Sequence, residues 1–230
     1  MVITKILPLC LCAVFLMNSD ICNENNNFVY KYAANGEIPN NLIDNRLIRI
    51  AEDLRKYAEE QSEEKKRMEK ERKEHVCFNS YDIGIPSGIT YEEMAKVLKS
   101  SHYVNVLKFS DAFVDAEKQY KVNAFALAAI SGAESGWNES RRANNGNNNI
   151  TGMDVKSDSS KGTVYASKYD CIMDLARQLR TYYLTPGACY YSGVSTSKVN
   201  KYYSADSKWY KTIDKIGDEL VFEYDRLYRQ

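Results

Sequence analysis

The sequence has no excess of either charge. Its 31 Lys plus Arg balance 31 Asp plus Glu. A nucleic-acid binder normally carries a clear basic surplus to meet phosphates, so that class is disfavoured. A neutral chain also lacks the long-range field that would steer it toward an anionic polymer. Histidine is scarce, with two residues, and no cysteine or histidine spacing of the zinc type occurs. No metal site and no cofactor are expected. Internal repeats and long low-complexity tracts are also missing. The remaining composition, 44% apolar and 27% charged, is that of a globular protein. Its 230 residues allow one domain with appendages, or two small ones. The surplus is tyrosine, at 18 residues. A flat apolar face with a polar tip suits a groove for sugars or peptides, and equally suits a small core.

The N-terminus reads as an address. Ile6 to Met17 is a short apolar run broken by Pro8, preceded by Lys5 and followed by Asn18-Ser19-Asp20. It is too short for a comfortable transmembrane helix, which needs about 20 residues. It fits the hydrophobic region of a secretory signal peptide, with an uncleaved anchor as the alternative. Residues 1–22 are therefore assigned to a signal peptide or anchor and 23–43 to a linker. The implied location is secreted or cell wall, or membrane-anchored at the outer face. In an exported chain Cys22, Cys77, Cys171 and Cys189 allow three pairings. Cys171 with Cys189 and Cys22 with Cys77 keeps each pair within its own region, and free thiols are the alternative.

Residues 44–79 differ from the rest. Asp44 to His75 holds 10 basic and 10 acidic residues and no Gly or Pro. Strong helix formers dominate it, which predicts a charged helical stalk. Ile43, Leu47, Ile50, Leu54 and Tyr57 alternate spacings of four and three, an a/d seam of about two heptads. The next seam positions are Gln61, Glu64 and Met68, so the seam fades. Two roles stand: a solvated spacer, or weak self-association through 43–57. Pro86 and Gly88 then end the helical pattern.

Residues 80–230 read as a mostly helical domain. Thr90 with Glu93 three positions on is a capping box. A second helix is predicted over about Ser110 to Tyr120. Asn123 is placed to cap a third, which carries no charge from Ala124 to Ala133 and should be buried on most sides. Glu134 emerges near its end, on the face of Leu127 and Ile130. Desolvation and the helix C-terminal dipole both favour a protonated carboxyl there, which suits a general acid in glycosidic cleavage. The plainer alternative is a helix reaching the surface. Glu117 and Glu139 compete for the role, Glu117 being read as a surface residue of an amphipathic helix. The tyrosine pairs 182–183, 190–191 and 202–203 are candidates for lining a groove. Adjacent residues cannot share one face, so about half of them should be core.

At this point the residues carry a resemblance. Val122-Asn123-Ala124 through Ala133-Glu134-Ser135-Gly136-Trp137 is followed by Ser140 and then Asn148-Asn149-Ile150-Thr151-Gly152. Further on come Ser167-Lys168 through Cys171-Ile172, Tyr183-Leu184-Thr185-Pro186-Gly187 and Tyr190-Tyr191. Last are Val199-Asn200, Tyr203, Asp206 and Trp209. In this order they resemble the glucosaminidase domain of bacterial cell-wall hydrolases (glycoside hydrolase family 73), over roughly Ser87 to Leu220. The resemblance implies an α+β, lysozyme-like, mostly helical fold with a small β-hairpin lobe over a substrate groove. It implies cleavage of the β-1,4 bond after N-acetylglucosamine in peptidoglycan glycan strands. Glu134 takes the position of the catalytic acid and Tyr203 that of a tyrosine near the cleaved bond. Trp137, Asn148, Asn149, Gly152 and Tyr165 would shape the groove. Asn138-Glu139 stand where the family often has Gly-Thr, so the turn after the acid is expected to differ.

A second catalytic group is less defined. Asp154 and Asp158 fall in Gly152 to Tyr165, the expected hairpin lobe, and are candidates for the base that activates water. Each also has a plain reading as a turn residue. The substrate's own N-acetyl group is another route. Asp170 fits the first turn of the next helix. Rival functions are a muramidase or lytic transglycosylase on the same scaffold, and a non-catalytic wall-binding or assembly module.

Overall fold

A computed structural model describes residues 45–144, 146–154 and 162–229. The apolar run Ile6–Met17, Cys22 and Asp158 lie outside the described residues. Contacts divide the chain into two units, Met1–Met68 and Glu69–Gln230. Among the described residues no helix is long and apolar enough to cross a membrane.

The first helix, α1 (Asn45–His75), crosses that division. Its first-unit part carries ion pairs one turn apart, Arg55–Glu59 and Lys56–Glu60, with Lys66–Glu63 and Arg67–Glu64 three apart. All are exposed to water and screened by it, so they add little to stability. The seam residue Tyr57 and the later Met68 are exposed as well. The last turn of α1 belongs to the second unit because side chains fix it there. Arg72 donates to both carboxylate oxygens of Glu93, at 3.0 and 2.6 Å. Arg229 donates to the carbonyls of Lys73 and Glu74, which close the end of α1, and to that of Val76.

The regular elements among the second unit's described residues are all helical. They comprise α2 (Tyr91–Ser100), a 3-10 segment (Val104–Phe109), α3 (Ser110–Tyr120), α4 (Ala124–Ser135) and the single turn α5 (Arg141–Asn144). Then follow α6 (Lys168–Gln178), prolonged by a π-helical turn (Leu179–Tyr183), α7 (Thr196–Tyr203) and α8 (Trp209–Tyr228). No strand occurs among the described residues, so the expected β-hairpin lobe is not seen. Between Asn147 and Tyr165 the two arms are joined by Thr163 N to Met153 O at 3.0 Å and Tyr165 N to Asn147 O at 2.9 Å. The asparagine side chains there take bonds that a strand ladder would otherwise make.

Local chemistry explains the helix boundaries. Thr90 and Glu93 form the capping box in both directions. Glu93 additionally takes Arg72, which the sequence pattern did not foretell. Asn123 accepts from Phe125 N and Ala126 N, and its amide donates to Cys77 O and Ile85 O at 3.0 Å. One side chain thus starts α4 and pins the strap before α2 across it. Ser167 caps α6, where Asp170 sits in the first turn.

The core gathers around α4. Every residue from Ala124 to Ile130 is fully buried. Its small side chains let α8 and α3 approach closely, and α8 also covers α7 and α2. Among the described residues Cys77, Cys171 and Cys189 are free thiols, so the expected Cys171–Cys189 pairing gives way to the free-thiol alternative. Cys171 is buried on α6, its sulfur 3.2 Å from Thr151 Oγ1, while Cys189 is exposed. Burial pushes the Cys171 thiol above its ordinary pKa and leaves it unreactive. A core of this size needs no staple.

Candidate active site

Glu134 sits in the last turn of α4, partly buried. Trp209, the first residue of α8, donates its indole Nε1 to Glu134 Oε1 at 2.8 Å. Tyr203, the last residue of α7, packs on that indole with ring centroids 4.8 Å apart. The Tyr203 hydroxyl is buried and has no hydrogen-bond partner among the described residues. Burial first, then the nearby Glu134 charge, hold this phenol well above its ordinary pKa. It therefore keeps its proton at any physiological pH. From the facing loop, Gly152 has φ +70° and lies so close that an added Cβ would stand 3.2 Å from Glu134 Oε2. Both demands, the left-handed backbone and the close approach, select glycine.

The corner between α7 and α8 places Tyr203 and Trp209 on the carboxylate. Asn200 is buried, donates to Asp206 O at 2.8 Å and accepts from Tyr210 N at 3.2 Å. Asp206 accepts from Lys208 N at 2.8 Å through its side chain and from Trp209 N at 3.1 Å through its carbonyl. In the run Asn200, Tyr203, Asp206, Trp209, two residues build the corner and two reach the site. Trp209 is the functional residue that sequence reasoning left without a role. The only signal was its place in the motif; nothing in the sequence marked it as a partner of Glu134, 75 residues away.

The chain after Glu134 is wound in an uncommon way. Gly136, Trp137 and Asn138 have φ of 56°, 57° and 68°. Left-handed backbone costs a non-glycine residue about 1–2 kcal/mol. Trp137 N donates to Gly132 O at 2.8 Å, and Asn138 N donates to Ser135 Oγ at 2.8 Å. The Trp137 ring lies over Gly132, where an added Cβ would be 2.3 Å from it. On its other side it stacks on Tyr103 at 3.7 Å. The ring of Trp137, expected in the groove, is thus held between Gly132 and Tyr103, where it compensates the strained turn.

The remaining expected site residues divide by what they touch. Asn148, with φ 54°, donates to the carbonyls of Tyr165 and Ala166 at 3.0 and 3.1 Å. Asn149 is buried, donates to Met153 O and Thr163 O, and accepts from Met153 N. Together they hold the loop that carries Gly152 over Glu134. The Tyr165 hydroxyl donates to Asp174 Oδ2 at 2.8 Å, which fixes the loop's far arm on α6. Asp154 is exposed, with φ 56°, and accepts from Thr163 Oγ1 at 2.6 Å, a turn arrangement. Glu139 is exposed and accepts from Asn105 Nδ2 at 2.6 Å. It belongs to a depression of about 520 Å³ lined also by Val104, Asn105 and Lys108, apart from Glu134. Glu117 is a correction. It is buried, not on the surface, and accepts from Ser87 N, Gly88 N and Ala124 N at 2.6, 3.1 and 2.7 Å. A carboxylate beside the α4 N-terminus meets unpaired N–H groups and the positive end of the helix dipole. Among the described residues no group of three or more His, Cys, Asp or Glu is placed to hold a metal ion.

The Glu134 carboxylate is thus held at the end of an apolar helix by an indole donor, with a buried phenol packed on that indole. A search of the curated proteins found no match to the sequence. Residues 110–220 match the model of the glucosaminidase family, described as mannosyl-glycoprotein endo-beta-N-acetylglucosaminidase. That span runs from the start of α3 to the middle of α8 and includes Glu134, Gly152, Tyr203 and Trp209. Residues 110–220 are a glucosaminidase domain, and the protein that carries it is a glycoside hydrolase.

Proposed function

We propose that this peptidoglycan-type glucosaminidase is exported and cuts the β-1,4 bond after N-acetylglucosamine in cell-wall glycan, with Glu134 as general acid. The observation that carries the proposal is the Trp209 indole N–H on Glu134 Oε1. The bond holds the carboxyl in place at the end of α4, with Gly152 passing close to Oε2. The helix C-terminus and the apolar body of α4 favour the neutral acid. Proton transfer to the glycosidic oxygen releases the leaving sugar and leaves a carboxylate that Trp209 still binds. Hydrogen bonds to the charged form are stronger than to the neutral one, so the indole favours the state reached after transfer. Tyr203 stays protonated and offers a neutral hydroxyl beside the bond being cut.

Asp154 and Asp158 are the candidates for the group that activates water, and the substrate's N-acetyl group is the route that needs neither. Full activity in separate Asp154→Asn and Asp158→Asn variants would remove both. Asn148, Asn149 and Tyr165 hold the loop over the acid, and Trp137 braces the turn behind it. The address at 1–22 takes the chain to the wall, as a free protein or anchored at the outer face. The stalk spaces the domain from that end or joins two copies weakly through 43–57.

The test is digestion of purified peptidoglycan by the whole chain, with Glu134→Gln as control. Fragments are reduced with borohydride and read by mass spectrometry. Reduced N-acetylglucosamine ends from the unsubstituted chain alone are expected. Reduced or anhydro muramic ends would move the enzyme to the muramidase or transglycosylase class. Glycan binding without cleavage would make it a binding module.

A further inference from the structure

A connected series of aromatic rings leads away from Glu134 to the protein surface. Trp209, hydrogen-bonded to the acid, touches Tyr203 at 4.8 Å between ring centroids. Tyr203 meets Tyr183 edge-on at 5.7 Å, and Tyr183 meets Tyr190 at 5.2 Å. Tyr190 meets Tyr202 at 5.9 Å, with their planes tilted 34°. Exposure rises along the series. Tyr183 and Tyr203 are partly buried, Tyr190 is 44% exposed and Tyr202 58% exposed.

The backbone accounts for this arrangement. Successive residues on a helix point about 100° apart, so each adjacent pair divides between the interior and the surface. Tyr203 turns inward and Tyr202 outward; Tyr183 turns inward and Tyr182 outward. The π-helical turn Leu179–Tyr183, closed by Leu184 N to Leu179 O at 3.0 Å, ends α6 in this region. Such turns recur at functional sites, where the extra residue re-aims side chains. Tyr190 N then donates to Tyr182 O at 3.0 Å, which clips the Thr185–Tyr191 turn back onto the helix end. The exposed rings are therefore mounted on a fixed backbone.

Two large exposed rings, continuous with an acid site and rigidly held, match one kind of occupant. A pyranose has an uncharged apolar C–H face and a hydroxyl rim, which fits a tyrosine face and its polar tip. Neither ring carries a cationic group that could pair with a stem-peptide carboxylate. Resting on the glucosaminidase function proposed above, we propose that Tyr190 and Tyr202 form a stacking subsite for an N-acetylhexosamine ring of the glycan, adjoining the Glu134 centre. The subsite extends the contact beyond the cleaved bond and selects longer strands over short ones.

The experiment compares the whole chain with Tyr190→Ala/Tyr202→Ala and Tyr202→Phe, using Tyr81→Ala as the control. Tyr81 is 85% exposed and stands outside the series. Cleavage of peptidoglycan is measured as KM and kcat, and binding of a β-1,4-linked N-acetylglucosamine hexamer by calorimetry. Loss of ring contacts is expected to raise KM about two- to tenfold per ring with kcat nearly unchanged. Tyr202→Phe should keep most of the affinity, because the ring face remains. Unchanged KM and hexamer affinity in the double variant would overturn the subsite while leaving the glucosaminidase function standing. A whole chain that binds the hexamer but does not cleave, with binding lost in the double variant, would sustain the subsite and end the proposed function. Neither cleavage nor binding would overturn both. Should the double variant fail to fold, Tyr202→Ala alone decides, since its ring is mostly in solvent.

Discussion

The two ends of α4 each hold a glutamate, and the two are used in opposite ways. At the N-terminal end Glu117 is buried and accepts three backbone N–H groups, including that of Ala124, the first residue of α4. Its charge lies where the helix dipole welcomes it and where unpaired donors need it. At the C-terminal end Glu134 lies where the dipole disfavours charge, and it is held by an indole on α8. One carboxylate completes the fold. The other is the one proposed above as the proton donor. A glutamate's use is set by the backbone groups around it more than by its burial.

The comparison is broken most directly at Glu134. Glu134→Gln keeps the shape and an acceptor for Trp209 but removes the carboxyl proposed as the acid. Activity on peptidoglycan is expected to fall about a thousandfold, within the range for loss of a general acid, with thermal stability held. Turnover by Glu134→Gln near that of the unsubstituted chain would assign the acid elsewhere. Glu117→Ala is the reverse case. It strands three N–H groups, two of them on Ser87 and Ala124 in buried surroundings, and is expected to cost about 3 kcal/mol. In a domain of this size that lowers Tm by roughly 10 °C, while turnover per folded molecule is kept. Calorimetry and an assay well below Tm separate the two effects.

Smaller changes sharpen the contrast. Trp209→Phe keeps the ring packing with Tyr203 and removes only the indole donor. A tenfold loss in kcat, on the order of one charge-assisted hydrogen bond, is expected with KM little changed. Gly152→Ala imposes a left-handed alanine and pushes a methyl group to 3.2 Å from Glu134 Oε2. A stability loss of about 1–2 kcal/mol is expected, together with reduced kcat.

The smallest effect concerns a third glutamate. Burial would raise the Glu93 carboxyl, but the hydrogen bonds from Arg72 and Thr90 outweigh it and hold the carboxyl below its ordinary value of 4.5. A carboxyl depressed in the folded state contributes stability above its unfolded value. That contribution fades as pH falls below about 4.5 and through the folded value. Acid titration of Tm for Arg72→Met should show a shallower fall below pH 4.5 than the unsubstituted chain. Parallel curves would remove the Arg72–Glu93 pair from acid stability.

What the sequence made legible follows the range of the interactions. The Thr90–Glu93 box, the Asn123 cap, the Ser110–Tyr120 helix and the burial of Ala124 to Ile130 are short-range or periodic signals, and each stands as expected. Glu117 was misread because its partners on Ser87 and Gly88 lie far away in sequence. A Glu on an amphipathic helix looks solvated until a loop is known to pass over it. Trp209 was legible as part of a motif but not as the donor to Glu134, 75 residues away. Trp137 was legible as part of a motif, while the packing of its ring over Gly132 and on Tyr103 was not. The tyrosine pairs could be divided into inner and outer members from helix geometry, but the ring series that joins them required the tertiary structure.

One paired measurement tests the central claim most directly: turnover of peptidoglycan and Tm, taken together, for Glu134→Gln and Glu117→Gln in the whole chain. The predicted result is a cross. Glu134→Gln loses activity and keeps its Tm, while Glu117→Gln keeps activity per folded molecule and melts earlier. Activity retained in Glu134→Gln, or lost in a fully folded Glu117→Gln, would contradict the division of roles between the two ends of α4.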